Sequence, residues 1–179
     1  MQVSVYIATS LDGFIARSDD GLDWLPPAAA DGEDYGYQAF IDTVDVIVMG
    51  RRTFEKALTF DPWPYSDRRV VVLSARHSHA PGHLAGTVQM WSGEPAEIVD
   101  RLSRGGAKHV YLDGGKTIQR FLGAGFVHRL IVTRVPVLVG GGIPLFGPLH
   151  RDIVLRHVAT RQFPSGLVQS EYVVAPLQA

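Results

Sequence analysis

Two hydrophobic periods alternate along this chain, and the switches between them mark its elements. Val3-Ser4-Val5-Tyr6-Ile7-Ala8 is a short β-branched run closed by the turn pair Asp12-Gly13, and Phe14-Ile15-Ala16 resumes it briefly. Residues 17–34, rich in Asp, Gly, Pro and Ala, read as a long loop. Tyr37, Phe40, Ile41 and Val44 then fall at helical spacing. Val44 to Gly50 is an almost unbroken apolar run, as expected of a strand buried on both faces, and a short helix follows over Arg52 to Leu58. Arg69 to Ser74 is another such strand, and Thr87 to Trp91 a weaker one. Pro95 suits a first helical position, Ile98, Val99 and Leu102 form one face, and Gly105-Gly106 ends that helix. His109 to Leu112 reads as a strand; Ile118, Phe121 and Leu122 mark a helix that stops at Gly123. Arg129 to Leu138 predicts a long strand bent at Pro136. Val154 to Ala159 and Leu167 to Val174 predict a closing antiparallel pair.

Strands alternate with helices up to about residue 135, and afterwards strand follows strand. The expected architecture is one α/β domain over 1–179, a three-layer αβα fold. Its central sheet should be mostly parallel, with antiparallel C-terminal edge strands.

Composition narrows the functional classes. Seventeen basic residues stand against eighteen acidic ones, a net charge of -1, so no positive surplus supports nucleic-acid binding. Only Lys56, Lys108 and Lys116 are lysines; the other basic residues are Arg, whose planar fork suits phosphate or carboxylate. Cysteine is absent, which removes disulfides, thiolate metal sites and a Cys nucleophile. No signal-peptide pattern follows Met1, and no apolar stretch is long enough to span a membrane. A cytoplasmic protein is the expectation.

In open α/β sheets, ligands bind beyond the carboxyl ends of the strands. Three predicted strand ends carry ligand-friendly residues: Gly50-Arg51-Arg52-Thr53, Ser74-Ala75-Arg76 and Asp113-Gly114-Gly115-Lys116-Thr117. Each alone can be a plain structural terminus. Together they could bridge one extended polyanion. Other motifs fail on inspection. Gly115-Lys116-Thr117 imitates the end of a P-loop, but the earlier glycine position is Val110. No Gly-x-Gly-x-x-Gly follows the first strand, and no Gly-x-Ser-x-Gly elbow is present. His77, His79 and His83 sit in a Ser/Ala/Pro/Gly loop without a neighbouring carboxylate, which reads as a solvated loop.

Ile47 to Glu55 resembles the NADPH-binding strand-to-helix turn of dihydrofolate reductases. Val71 to Ser74, Leu112 to Leu122 and Leu130 to Thr133 resemble the strands and glycine-pair segment that follow it. Ala8 to Ala16 and Leu138 to Phe146 are similar to the reductase domain of the bifunctional riboflavin-biosynthesis deaminase–reductase and its stand-alone relatives. The resemblance spans nearly the whole chain in order. It implies that Gly50, Arg51, Arg52 and Thr53 hold the 2′-phosphate and pyrophosphate of NADPH, and that Ser74 and Arg76 flank its adenosine. Gly114, Gly115, Lys116 and Thr117 would admit the pyrophosphate and ribose, with Ala8 beside the nicotinamide. Two adjacent Arg suit a dianionic phosphate, so NADPH should be preferred to NADH. The segment Asp113-Gly114-Gly115 should contain a positive φ or a non-proline cis bond.

The implied activity is reduction of a C=N or C=O in a small heterocycle or sugar-imine, of the type catalysed by 5-amino-6-(5-phosphoribosylamino)uracil reductase. Asp12, Asp34 or a bound water would supply the proton. Trp24 and Tyr35 or Tyr37 would offer flat surfaces to a substrate ring, with Thr133 on the same side. Trp24 is followed by Leu25, prolines and alanines, where dihydrofolate reductases carry a pterin-binding carboxylate. The alternatives are a true dihydrofolate reductase and an NADPH-binding module without turnover. Besides its small-molecule substrate, the expected partner is a second copy of the chain. The apolar run Val135, Val137, Leu138, Val139, Ile143, Leu145 and Phe146 is denser than one small domain is expected to bury, which predicts a two-fold homodimer.

Overall fold

The computed structural model describes residues 1–26, 32–65, 68–75 and 79–175. β1 (Gln2–Ser10) runs through the middle of an eight-stranded sheet. The other strands of that sheet are β3 (Val46–Gly50), β4 (Arg69–Leu73), β5 (Val88–Trp91), β6 (His109–Asp113), β7 (Arg129–Val135), β9 (Leu155–Gln162) and β10 (Val168–Val174). Their spatial order is β5-β4-β3-β6-β1-β7-β10-β9. Every pairing from β5 to β7 is parallel, and β10 pairs antiparallel with both β7 and β9. This is the mostly parallel αβα sheet with antiparallel C-terminal edge strands that the element order predicts.

Helices cover both faces because the strand interiors are apolar on both. On one face α3 (Pro95–Arg104) and α4 (Gly115–Gly123) pack Ile98, Leu102, Ile118 and Phe121 against Val3, Val5, Val48, Val110 and Leu112. On the other, α1 (Tyr37–Ile41) and α2 (Arg51–Ala57) set Phe40, Ile41 and Phe54 against Ile47, Met49, Val70, Val72 and Tyr111. Burying each such side chain contributes roughly 1.5–3 kcal/mol. Both N-terminal capping-box bonds of α3 are present, with Glu94 and Glu97 reaching each other's backbone and Pro95 at the first position.

The structure departs from the sequence reading in three places. The first helix is a single turn ending at Ile41, and Val44 lies beyond it. The strand predicted over Arg129 to Leu138 ends at Val135 instead of bending through Pro136, which has no N–H for the ladder. A second small sheet pairs β2 (Phe14–Ala16) with the two-residue β8 (Ile143–Pro144), too short to leave a periodic signal. In the predicted interface run, Val135 and Leu145 are buried within this chain, so they belong to the core; Leu138 and Phe146 remain exposed.

Candidate active site

The carboxyl ends of β1, β3 and β6 open on one cavity of about 550 Å³, within the usual range for small-molecule sites. It gathers Ala8, Gly50, Arg51, Arg52, Thr53, Gly114, Gly115, Lys116 and Thr117, which the sequence had placed on three separate segments. Local geometry explains the glycines. Gly114 sits at φ 89, and a Cβ there would collide with the Thr53 hydroxyl. A Cβ on Gly115 would lie 3.0 Å from the Pro144 carbonyl oxygen and 3.1 Å from Ile15. The glycine pair therefore lets the β6–α4 turn nest between α2 and the β2–β8 ribbon. The expected unusual backbone is the positive φ of Gly114.

Among the described residues, Arg51, Arg52, Lys56, Lys116 and Arg120 line the cavity, with the carboxylates of Asp20 and Asp113. That donor set fits a ligand with several phosphate oxygens. Several of the cations are already engaged. Arg51 pairs with Glu55 at 3.2 Å, Arg52 with Asp20 at 2.6 Å and Arg120 with Glu94 at 3.1 Å. Leu73 reaches the wall, whereas the next residue, Ser74, does not line it; its backbone N–H donates to the Trp91 carbonyl. Arg76 and His77 lie outside the described residues.

Asp113 is the residue that the motif reading passed over. It ends β6 and lies two residues from Tyr111, so both point to the same face of the sheet. Its Oδ1 accepts the Gly114 N–H at 2.8 Å and its Oδ2 the Tyr65 hydroxyl at 3.2 Å. Burial pushes the Asp113 carboxyl above its ordinary range, only partly offset by those two donors. Its charge acts back on the phenols around it. Tyr37 is pushed up to about 12 by burial and by Asp113, and Tyr65 and Tyr111 rise well above the usual phenol range for the same reasons. An acid held toward its protonated form, in a cavity, is the pattern expected of a general acid. The available signal was a lone carboxylate closing an apolar strand at the ligand-binding edge of the sheet.

Asp12 and Asp34, the predicted proton donors, are corrected by their surroundings. Asp12 lies outside the cavity lining; it accepts the Ser10 hydroxyl at 2.6 Å and the backbone N–H groups of Val139 and Gly140 at 3.2 and 2.8 Å. These donors, the Ser10 hydroxyl foremost, hold its carboxyl below the usual range. Asp34 accepts the N–H groups of Gly36 and Gln38 at the start of α1 and is likewise lowered. Both are ionised turn braces.

The substrate-side residues also sit behind the cavity wall. Trp24 is 9% exposed, packed with Val135 and Leu167, so its ring seals the loop onto the sheet instead of facing a ligand. Tyr37 meets Tyr6 edge-on at 5.5 Å. Thr133, paired with Ala8 across the β1–β7 ladder, has its hydroxyl oxygen bonded by Gln169 Nε2 at 3.0 Å. The same amide reaches the Tyr6 hydroxyl and the Tyr35 carbonyl, forming a polar network whose members do not line the cavity.

The model of the RibD C-terminal domain matches residues 2–169. The chain belongs to the RibD C-terminal domain family. Two uncharacterized Bacillus subtilis proteins are similar over nearly their whole length. YwjB is 34% identical, covering 96% of this chain and 97% of its own, and YyaP is 29% identical, covering 93% and 91%. A Shewanella sp. PV-4 protein named for a proposed place in riboflavin biosynthesis has a solved structure with TM-score 0.91. It is 37% identical, over 98% of this chain and 100% of that one. A dihydrofolate reductase of Enterococcus faecalis shares the fold at 16% identity and TM-score 0.66, covering 98% of this chain and 97% of that one. In a RibD C-terminal domain of this shape, the predicted riboflavin-type subgroup and the dihydrofolate-reductase-like fold come together. Among the described residues, no helix is long and apolar enough to cross a membrane.

Proposed function

We propose that this RibD-type domain is an NADPH-dependent reductase acting on a small heterocycle or sugar-imine, of the 5-amino-6-(5-phosphoribosylamino)uracil reductase type. One observation carries the reading: a single cavity joins a cationic wall of Arg51, Arg52, Lys56 and Lys116 to a half-buried carboxyl, Asp113, with Ala8 on β1, the strand next to the one that ends in Asp113. The family contributes the reductase class; a Thermotoga maritima protein named as a deaminase and 5-amino-6-(5-phosphoribosylamino)uracil reductase shares the fold at TM-score 0.73 and 14% identity, with this chain spanning 56% of it.

NADPH, when bound, supplies the hydride. Arg51, Arg52 and Thr53 would hold its phosphates, Gly114 and Gly115 would let the backbone approach, and Ala8 would leave room for the ring. Asp113 takes the acid role first given to Asp12 and Asp34, and Tyr65 fixes the orientation of its carboxyl. Leu22, Leu25, Ile15 and Ile143 form the apolar side that keeps water out.

The assembly we propose is a homodimer. Leu138, Phe146, Val154 and Val158 are 70%, 50%, 68% and 45% exposed, and β9 is an edge strand exposed along its whole length. A second copy would cover this flank.

The test is NADPH oxidation with 5-amino-6-(5-phosphoribosylamino)uracil and with dihydrofolate, side by side. Faster turnover of the pyrimidine supports the reading. Dihydrofolate turnover at about 1–10³ per second, with the pyrimidine inert, would replace it with the folate reading.

A further inference from the structure

The loop between β2 and α1 sends one carboxylate into the cavity. Asp20 Oδ2 accepts both Arg52 Nη2, at 2.6 Å, and Arg52 Nε, at 3.2 Å. Those two donors form one edge of the guanidinium fork, an edge that would otherwise grip two oxygens of a phosphate. Both side chains line the cavity. Asp20 is aimed there by a rigid turn. Its φ is 64, its N–H donates to the Arg17 carbonyl at 3.1 Å, and Arg17 N–H donates to the Gly21 carbonyl at 2.9 Å. Arg17 also clamps Asp23 through two bonds of 2.7 and 2.8 Å. Asp is among the few side chains that tolerate this backbone region. Among the described residues, Asp20–Arg52 is the ion pair that joins this loop to α2.

We propose that Asp20 is an internal competitor for the phosphate-binding edge of Arg52, so that it lowers the affinity of the site for phosphate-bearing ligands. A phosphate oxygen and the Asp20 carboxylate are both pure acceptors of like charge, and one guanidinium edge cannot serve both. Binding of the anion therefore displaces the carboxylate, and attachment of the loop opposes the anion by the same factor. Asp20 thereby sets how tightly the site holds phosphates, whereas the cationic residues set which ligand it takes. The inference rests on the proposed cofactor reading for the identity of its ligand.

The experiment is calorimetric titration of the full chain with NADP⁺ and, separately, with inorganic pyrophosphate. The proteins are wild type, Asp20→Asn and Asp23→Asn. Asn keeps the size of the side chain and its tolerance of positive φ. Asp23→Asn loosens the same turn without touching Arg52. The expected result is binding of both probes to Asp20→Asn roughly two- to five-fold tighter than to wild type, the range open to an exposed ion pair, with Asp23→Asn unchanged. Equal affinities for wild type and Asp20→Asn would overturn the inference, as would an equal gain in Asp23→Asn. If NADP⁺ binds none of the proteins while pyrophosphate still separates Asp20→Asn from the other two, the cofactor reading falls and the competition stands.

Discussion

The Tyr65 hydroxyl donates to Asp113 across 3.2 Å, tying the segment after α2 to the carboxyl end of β6. Tyr65 lies beyond the short helix that follows Gly50, and Asp113 opens the glycine-pair segment. Their bond joins two residues of the cavity lining that lie far apart in the sequence, Tyr65 outside every motif and Asp113 at the head of one.

Replacing Asp113 with Asn should lower turnover by about 10²–10⁴-fold, the usual contribution of a positioned acid. It should also stabilise the fold at neutral pH. Asp113 is raised in the native state, so the native chain holds its proton more tightly than the unfolded chain does. Wild-type stability should then fall as pH rises from below the ordinary carboxylate range through the raised native value. Melting temperatures of the two proteins should converge in acid and separate toward neutral pH, with Asp113→Asn the higher. A variant less stable than wild type at neutral pH would contradict this account of the half-buried carboxyl.

Tyr65→Phe isolates the hydrogen bond. The phenol stabilises the charged form of Asp113, so its loss should raise the Asp113 carboxyl further. If the protonated form is the active one, the alkaline limb of the rate profile should move to higher pH. An acid limb that moves to higher pH, with the alkaline limb unmoved, would mean that Asp113 works ionised.

Asp12 serves the fold in this account. Its native carboxyl is lowered, so its stabilising effect is present above the ordinary carboxylate range and is lost as pH falls through the lowered native value. Asp12→Ala should melt earlier than wild type near neutral pH, by a margin that shrinks in acid, while the pH profile of turnover keeps its shape. Loss of the alkaline limb of that profile in Asp12→Ala would restore it as a proton donor.

The two glycines at the ends of α4 should respond in opposite ways. Gly114→Ala meets both a positive φ, worth roughly 1–2 kcal/mol, and the Thr53 hydroxyl, so it should be clearly destabilising. At Gly123 a Cβ would meet open space, and Ala there should be neutral or stabilising by roughly 0.4–1 kcal/mol. Chemical denaturation of both variants checks the contrast.

Much of this architecture was legible because burial on both faces forces continuous apolar strands. Val46 to Gly50, Arg69 to Leu73 and His109 to Asp113 announce themselves, and the glycines after them locate the cavity. Long-range partners are harder to read. Asp12 looks alike in sequence as turn brace or as acid; beside the local Ser10 hydroxyl it is held by the N–H of Gly140, 128 residues away, which no local pattern shows. Asp113 was read only as the neighbour of two glycines. Its importance comes from burial beside Tyr65, Tyr37 and Tyr111, which no local spacing encodes. Trp24 failed as a stacking surface because Val135 and Leu167, far along the chain, had already covered it.

The central claim is that this cavity holds the phosphates of NADPH through Arg51 and Arg52. Binding affinities of NADPH and NADH for wild type and for the Arg51→Ala/Arg52→Ala double variant test it most directly. The account predicts a wild type that favours NADPH by roughly tenfold or more, as one to two charge-assisted hydrogen bonds allow, and a double variant that has lost most of that preference. A double variant that discriminates as strongly as wild type would contradict it.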